Sequence, residues 1–272
     1  MEKYSVLMSL YIKEKHEYLR LALQSMVDQS LKPDEIVIVK DGKITKELED
    51  VLEEYNIKYP GLFNIIGYDK NRGLGLALNF GLEHCRNELI ARMDTDDISM
   101  PKRCEKQVKE FEKDPELAII GSAIDEFDGT IDNIIGRRVV PSNHKEIYEF
   151  AKKRSAFNHP SVMYRKSKVL EYSGYSDLKR NQDVDLFGRM IYGGCKAANF
   201  KESLLWFRAD ENLAKRRKSW ENTWSYIETI KRFWKMGYST FGDYVLITLA
   251  QTTMFICPIG FQKWLYKHFL RK

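Results

Sequence analysis

The chain has 272 residues, which is long enough to bury a large hydrophobic core. Hydrophobic residues make up 43% and charged residues 31%, and 16 glycines and 7 prolines exclude a collagen-like or low-complexity chain. Four widely separated cysteines without a C-x-x-C pair exclude a zinc ribbon and a small disulfide scaffold, and they are typical of a reducing cytoplasm. No basic segment followed by a long apolar stretch comes after Met1, so we do not expect export.

The first hundred residues alternate short apolar runs with amphipathic segments, which predicts an α/β fold with a parallel sheet. Apolar residues at helical spacing mark the helices, and turn residues such as Pro33 and Gly42 separate them from the strands. The predicted elements are a strand at 4–11, a helix at 17–29, a strand at 35–40, a helix at 47–59, a strand at 63–68, a glycine-rich turn and helix at 71–85, and a strand at 89–93.

Polar residues follow the predicted strands, and ligands of such sheets bind at the carboxyl ends of strands. Asp94, Asp96 and Asp97 come directly after one strand, where carboxylates would repel each other unless a cation or a donor-rich ligand lay between them. Mg²⁺ or Mn²⁺ is held by such oxygens together with substrate phosphates, although strand-end acids also cap helices. Asp41 follows another strand and can accept a nucleobase N–H, which predicts a nucleoside-diphosphate pocket.

Six segments of the sequence form a pattern in their order and spacing. They are Val6–Tyr11, Val39–Gly42, Asn71–Asn79, Asp94–Asp97 with its D-x-D motif, His159–Met163 and Asn181–Phe187. This pattern resembles family 2 glycosyltransferases with the GT-A fold, and the resemblance covers about residues 3–205. It implies a Rossmann-like nucleotide-binding sheet joined to a mixed acceptor-side half, followed by amphipathic C-terminal helices.

The resemblance implies a role for each nucleotide-binding position. Ser9 and Asp41 would contact the uracil or ribose of a UDP-sugar, and Asp94 would bind the ribose or the sugar. Asp96, assisted by Asp97, would coordinate the Mn²⁺ or Mg²⁺ that bridges the two phosphates. The other positions expected in the same pocket are Tyr11 and Arg72.

Asp183 matches the catalytic base of the family, in a motif where the preceding residue is usually Glu and here is Gln182. A carboxylate base opposite the leaving group gives single in-line displacement, so an α-linked donor yields a β-linked product. We expect Asp183 at a helix start, which makes Asp185 a structural residue with Arg189 as a candidate partner. His159 lies on the expected acceptor side with Gln182, and a hydrogen-bonded turn histidine is an equal alternative.

The resemblance places the chain among bacterial enzymes that build O-antigen, capsule or exopolysaccharide. They extend undecaprenyl-diphosphate-linked sugars, which implies such an acceptor. UDP-galactose or UDP-glucose is the preferred donor hypothesis. The donor sugar and the linkage position stay open, because a single sequence does not define the second half of the pocket.

Residues 206–272 differ from the catalytic part, expected at 1–205, because they contain twelve basic and five acidic residues and many aromatic ones. Basic and aromatic side chains favour an anionic lipid surface, so we expect a peripheral enzyme on the cytoplasmic face of the cell membrane. Residues 244–261 are uncharged but interrupted by polar residues, which favours an interfacial segment over a span. The alternative is a helix that packs its aromatic face on the catalytic domain.

Two other functions compete with glycosyl transfer. A nucleotidyltransferase would also use strand-end acids and a metal, but it would need a basic, glycine-rich phosphate loop after the first strand, and residues 7–11 do not form one. A nucleic-acid-binding protein would explain the basic tail but not Asp41, Asp94, Asp96 and Asp183, since acids repel phosphate. We therefore expect no nucleic-acid partner.

Overall fold

The computed structural model describes residues 1–209 and 219–257. Its first four strands agree with the sequence predictions to within one residue at each end, whereas a two-residue strand at Ile98–Ser99 was not predicted. The strands are β1 (Tyr4–Leu10), β2 (Glu35–Asp41), β3 (Phe63–Tyr68), β4 (Leu89–Arg92), β5 (Ile98–Ser99), β6 (Leu117–Phe127), β7 (Ile134–Arg138), β8 (Met163–Arg165) and β9 (Lys196–Arg208). The helices are α1 (His16–Val27), α2 (Lys46–Lys58), α3 (Leu74–His84), α4 (Arg103–Lys113), α5 (His144–Ala151), α6 (Lys166–Glu171), α7 (Gln182–Tyr192), α8 (Trp220–Lys235) and α9 (Phe241–Ile256).

The described strands form one sheet in the order β3-β2-β1-β4-β8-β6-β9-β5, with β7 paired to β6. The first four strands in that order are parallel to one another, as predicted. The other half is mixed, because β8 is antiparallel to both β4 and β6 whereas β9 is parallel to β6. The carboxyl ends of β1, β2 and β4 therefore meet at one edge of the sheet.

The core lies on both faces of the sheet because successive strand side chains point in opposite directions. Leu7 of β1 belongs to the cluster that packs on α3, α5 and α7. Val6 and Met8 on either side of it belong to the cluster that packs on α1, α2 and α4. Each of these side chains is completely buried, so β1 is fixed in register from both faces.

The boundary predicted after residue 205 falls inside β9, which continues to the buried Arg208. Helix α8 packs its own apolar face on the catalytic body, since Ile230 and Phe233 are buried in the same cluster as Leu7. Gly188 of α7 lies under Phe233, and a Cβ at position 188 would overlap that ring. One alternative in the sequence analysis is that a helix packs its aromatic face on the catalytic domain. The structure confirms this alternative for the face of α8 that contains Ile230 and Phe233.

Helix α9 includes the predicted interfacial segment, residues 244–261, as far as Ile256. The helix begins with a capping box formed by Thr240 and Asp243. Within 1–209 and 219–257, no helix combines the length and apolar character needed to span a membrane. The remaining residues of that prediction, 258–261, and the basic run at 215–218 lie outside the described residues.

Candidate active site

Three carboxylates gather beyond the end of β4. One oxygen each from Asp94, Asp96 and Asp97 lies within 4.8 Å of the others, and Asp97 is completely buried. Asp97 Oδ1 accepts the backbone N–H of Arg208 at 2.8 Å, whereas no partner for Oδ2 is found among the described residues. Burial, together with the charges of Asp96 and Asp94, raises the pKa of Asp97 well above its usual value. A divalent cation fits this set because it would neutralise the crowded charge and give Oδ2 a partner.

Arg92, the last residue of β4, lies fully buried beneath the acidic cluster and was missed by the sequence analysis. Its Nη2 donates a hydrogen bond to Asp94 Oδ1, and in the described part of the chain its Nε and Nη1 have no partner. The Arg92 charge acts on both halves of the site, because it lowers the pKa of Asp97 and of Asp183 against the larger effect of burial. A single arginine in an apolar strand gives no spacing signal that a sequence pattern could detect.

Arg208 fixes the acidic loop from the opposite side. Besides its backbone bond to Asp97, its Nε donates to the backbone oxygen of Asp96 at 2.8 Å and its Nη1 to that of Gly129 at 3.1 Å. The guanidinium lies 3.8 Å from the ring centre of Tyr18 and 4.5 Å from that of Phe127. Sequence analysis assigned Arg208 to the tail, whereas β9 carries it into the active site.

Asp41 lies at the predicted edge of the sheet, where its carboxylate binds the loop that follows β3. This buried carboxylate accepts four hydrogen bonds, from Tyr68 Oη at 2.9 Å, Asn71 Nδ2 at 2.9 Å, and the backbone N–H groups of Arg72 at 2.7 Å and Gly73 at 3.0 Å. A carboxylate has about four lone-pair sites, so the protein itself uses much of its acceptor capacity. Asp41 therefore organises the glycine-rich loop, and its contact with the uracil or ribose stays a prediction.

The other predicted nucleotide contacts lie along the same edge. Ser9 is half-buried near the end of β1, opposite Val39 of β2, and Tyr11 follows it with 42% of its surface exposed. Arg72 is exposed on the loop that Asp41 organises, with its guanidinium 5.3 Å from the Tyr68 ring centre. Since β1, β2 and β4 are parallel neighbours, these three residues lie at the same edge of the sheet as the acidic cluster.

Asp183 occupies the first turn of α7, as predicted, and Asn181 before it adopts a left-handed conformation with φ 57°. Burial raises the pKa of Asp183, and the N–H of Val184 and the charge of Arg92 act in the opposite direction. A half-buried carboxylate with a raised pKa is suited to accept a proton near neutral pH. Asp185 points away into an ion pair with Arg189 at 3.0 Å, which confirms the structural role expected for both residues.

The two acceptor-side candidates are held by packing. Gln182 is buried against Gly75, where a Cβ would lie 3.3 Å from Gln182 Cγ, so it joins the start of α7 to the start of α3. His159 Nε2 lies 3.0 Å from Tyr175 Oη in an aromatic cluster that includes Phe187. Burial, reinforced by the charge of Arg92, holds the pKa of His159 well below its usual value, so the imidazole is neutral. This geometry agrees with the alternative given for His159 in the sequence analysis, a turn histidine held by a hydrogen bond.

The chain is similar to known bacterial glycosyltransferases along nearly its whole length. It is 38% identical to an uncharacterized glycosyltransferase of Haemophilus influenzae over 99% of this chain and 100% of that protein. It is 32% identical to the Escherichia coli UDP-Gal:alpha-D-GlcNAc-diphosphoundecaprenol beta-1,3-galactosyltransferase, covering 99% of this chain and 97% of the relative. The amylovoran biosynthesis glycosyltransferase AmsE of Erwinia amylovora is 35% identical, with 97% and 98% covered.

Solved structures agree on the fold. The Pyrobaculum calidifontis mannosyltransferase PcManGT, in complex with GDP-Man and Mn²⁺, superposes with a TM-score of 0.65 at 12% identity over 99% of this chain and 82% of that one. Staphylococcus aureus TarS gives a TM-score of 0.59 at 18% identity over 88% of this chain, which spans 44% of the TarS chain. Residues 5–174 match the family described as glycosyl transferase family 2. This chain therefore belongs to glycosyl transferase family 2 and is a glycosyltransferase with the GT-A fold.

Proposed function

We propose that the protein is an inverting, metal-dependent hexosyltransferase. It would move galactose or glucose from a UDP-sugar to a hydroxyl of a sugar that is linked through a diphosphate to undecaprenol. The observation that supports this most directly is the pair of acidic centres on either side of Arg92. One is the cluster of Asp94, Asp96 and Asp97, and the other is the half-buried Asp183.

Asp96 and Asp97 would hold Mn²⁺ or Mg²⁺, and Asp94 completes the set of nearby oxygens. When bound, the ion would neutralise charge on the departing diphosphate. Arg92 would keep Asp94 in place through its hydrogen bond, and Arg208 would hold the loop that contains Asp96 and Asp97. These hydrogen bonds would hold the three carboxylates in fixed positions, so that the donor is aligned for the reaction.

Asp183 would take the proton from the acceptor hydroxyl as that oxygen attacks the anomeric carbon. Because this carboxylate would act on the face opposite the leaving group, the configuration would invert and a β-linkage would form from an α-linked donor. The burial of Asp183 raises its pKa, which strengthens it as a base, and the charge of Arg92 opposes part of that rise.

The substrates are proposed from the relatives. The Escherichia coli relative is named for UDP-Gal and a GlcNAc-diphosphoundecaprenol acceptor, and the Erwinia amylovora relative for amylovoran biosynthesis. Both align over nearly all of this chain, including the acceptor-side half. A role in O-antigen, capsule or exopolysaccharide synthesis follows, with sugar transfer favoured over the nucleotidyltransferase and nucleic-acid hypotheses.

An anionic membrane surface would be the second partner, on the inner face of the cell membrane. Helix α9 exposes a stripe of apolar residues that no described part of the chain covers. The most exposed members of this stripe are Phe241, Leu246, Leu249 and Ile256, between 57% and 74%. Aromatic residues of α8, Trp220 and Trp224, are half exposed beside it, and such side chains favour the headgroup layer.

The proposal is tested by incubating the purified protein with separate UDP-sugars and a GlcNAc-diphosphate-alkyl acceptor, with Mn²⁺ or with EDTA. We expect one UDP-hexose to give a product only with metal, and NMR of that product to show a β-linkage. An α-linked product, or equal turnover in EDTA, would contradict the proposal.

A further inference from the structure

Two arginines lie near the first turn of α7. Arg138 ends β7, and its Nη2 donates to the backbone oxygen of Ser155 at 3.2 Å. Arg154 and Ser155 line a small cavity of about 10 Å³ together with Val184, the residue that follows Asp183. Arg154 therefore belongs to the segment that packs near the first turn of α7, and Arg138 is hydrogen-bonded to that segment.

The charges of these arginines reach the base. Arg138 lowers the pKa of Asp183, against the larger effect of burial. Burial raises the pKa of Tyr226, on α8, to about 12, while Arg138 and Arg154 lower it and Asp183 raises it. The charges of both arginines and of Asp183 therefore act on the same tyrosine.

The same segment is tied to the C-terminal helices. Lys153 Nζ forms an ion pair with Asp243 at the start of α9 at 2.8 Å, and Tyr226 Oη donates to the backbone oxygen of Lys153 at 2.9 Å. Ser239 Oγ, between α8 and α9, donates to the backbone oxygen of Lys152 at 2.6 Å. The segment that contains Arg154 is therefore in contact with the first turn of α7 and with the start of the helix that we propose to face the membrane.

We propose that Arg138 and Arg154 bind the diphosphate of the lipid-linked acceptor. This inference rests on the proposed function, because it assumes that the acceptor hydroxyl meets Asp183. In such an acceptor the diphosphate is separated from that hydroxyl by one sugar ring and continues into a lipid. Arg154 belongs to the segment that contacts both the first turn of α7 and the start of α9, and Arg138 is hydrogen-bonded to that segment. Guanidinium groups recognise phosphate through paired, charge-assisted hydrogen bonds. The donor diphosphate would bind separately, at Asp94, Asp96 and Asp97.

The test measures binding, so it does not depend on turnover. Two probes share a GlcNAc headgroup and a short alkyl chain, and one has a diphosphate where the other has a neutral glycosidic linkage. Titration calorimetry would compare wild type with Arg138→Gln and Arg154→Gln. The matched controls are Arg137→Gln, which removes the neighbouring charge paired with Asp125 at 2.7 Å, and Lys152→Gln, which removes one paired with Glu149 at 2.8 Å.

We expect wild type to bind the diphosphate probe more tightly than the neutral one, and each site variant to bind the diphosphate probe about tenfold more weakly. Binding of the neutral probe and of UDP should stay at the wild-type value, and both controls should behave as wild type. Equal affinity of wild type for the two probes would overturn the inference, and so would site variants that keep the preference or that lose UDP binding instead. Preferential binding without sugar transfer from any UDP-sugar would instead count against the proposed function alone.

Discussion

The guanidinium of Arg92 donates a hydrogen bond to the carboxylate of Asp94 from a fully buried position at the end of β4. A buried positive charge at this place opposes the mutual repulsion of the carboxylates above it. It also acts on Asp183, which belongs to a different element, α7. Arg92 thus couples the proposed donor side and the proposed acceptor side of the site electrostatically.

Replacing Arg92 by Gln should move the acid limb of the pH-rate profile to higher pH. Asp183 acts as a base only when ionised, so activity is lost as the pH falls through its pKa, and removal of Arg92 raises that pKa. Removing one partner of a buried pair also costs about 3–5 kcal/mol of stability. The measurement is kcat/KM against pH, with Arg92→Lys as the control that keeps the charge. An unshifted limb in a folded Arg92→Gln variant would contradict the coupling.

Mn²⁺ binding should weaken as the pH falls. Burial and the neighbouring acids raise the pKa of Asp97, so protons compete with the ion for this carboxylate. Below that pKa, competition by one proton lowers the affinity about tenfold per pH unit. Calorimetric titration with Mn²⁺ would measure this, and Asp97→Asn should bind weakly at every pH. An affinity that does not change between neutral and mildly acidic pH would show that Asp97 is not a ligand.

Asp41→Asn should destabilise the protein and weaken donor binding together. The amide nitrogen would face at least one of the four donors that now point at the carboxylate, and an unsatisfied buried donor costs about 1–3 kcal/mol. Chemical denaturation and UDP titration would measure the two effects. Asp69→Asn, on the exposed part of the same loop, serves as control. A variant with wild-type stability would contradict this expectation, and weak UDP binding at that stability would show that Asp41 contacts the nucleotide directly.

The double variant Leu246→Asn and Leu249→Asn should detach the protein from anionic vesicles. Burial of one such side chain contributes about 1.5–3 kcal/mol, so the loss of two lowers binding by about a hundredfold or more. Flotation with phosphatidylglycerol vesicles would measure it, and Ile57→Asn, at a residue 70% exposed on α2, is the control. Equal flotation of both variants would contradict the membrane role of α9. Deletion from Trp220 onward is unsuitable, since it removes Ile230 and Phe233 from the core.

The parallel half of the sheet and the acidic cluster were predictable because they leave local patterns. Alternating strands and helices end in polar residues, and D-x-D follows an apolar run, so Asp94 and Asp96 could be placed without a structure. Asp185 was correctly separated from Asp183 because a helix start puts the two side chains on different faces.

The remaining features depend on contacts between distant parts of the chain. Arg208 reaches Asp97 only because β9 pairs with β6 and β5, which no local pattern indicates. The bonds of Asp41 depend on the fold of residues 71–73. The local sequence around an acid at a strand end does not distinguish an acid that binds a ligand from one that binds a loop. The packing of α8 on α7 likewise depends on Gly188, whose missing side chain is meaningful only beside Phe233.

The most direct test of the account is acceptor-dependent UDP release by wild type and by Asp183→Asn, with Mn²⁺ and a sugar-diphosphate-alkyl acceptor. The account predicts that the variant binds UDP-sugar with wild-type affinity and that its kcat falls by about 10²–10⁴, the usual contribution of a general base. Turnover near the wild-type rate in a folded Asp183→Asn protein would contradict it and would require a different base.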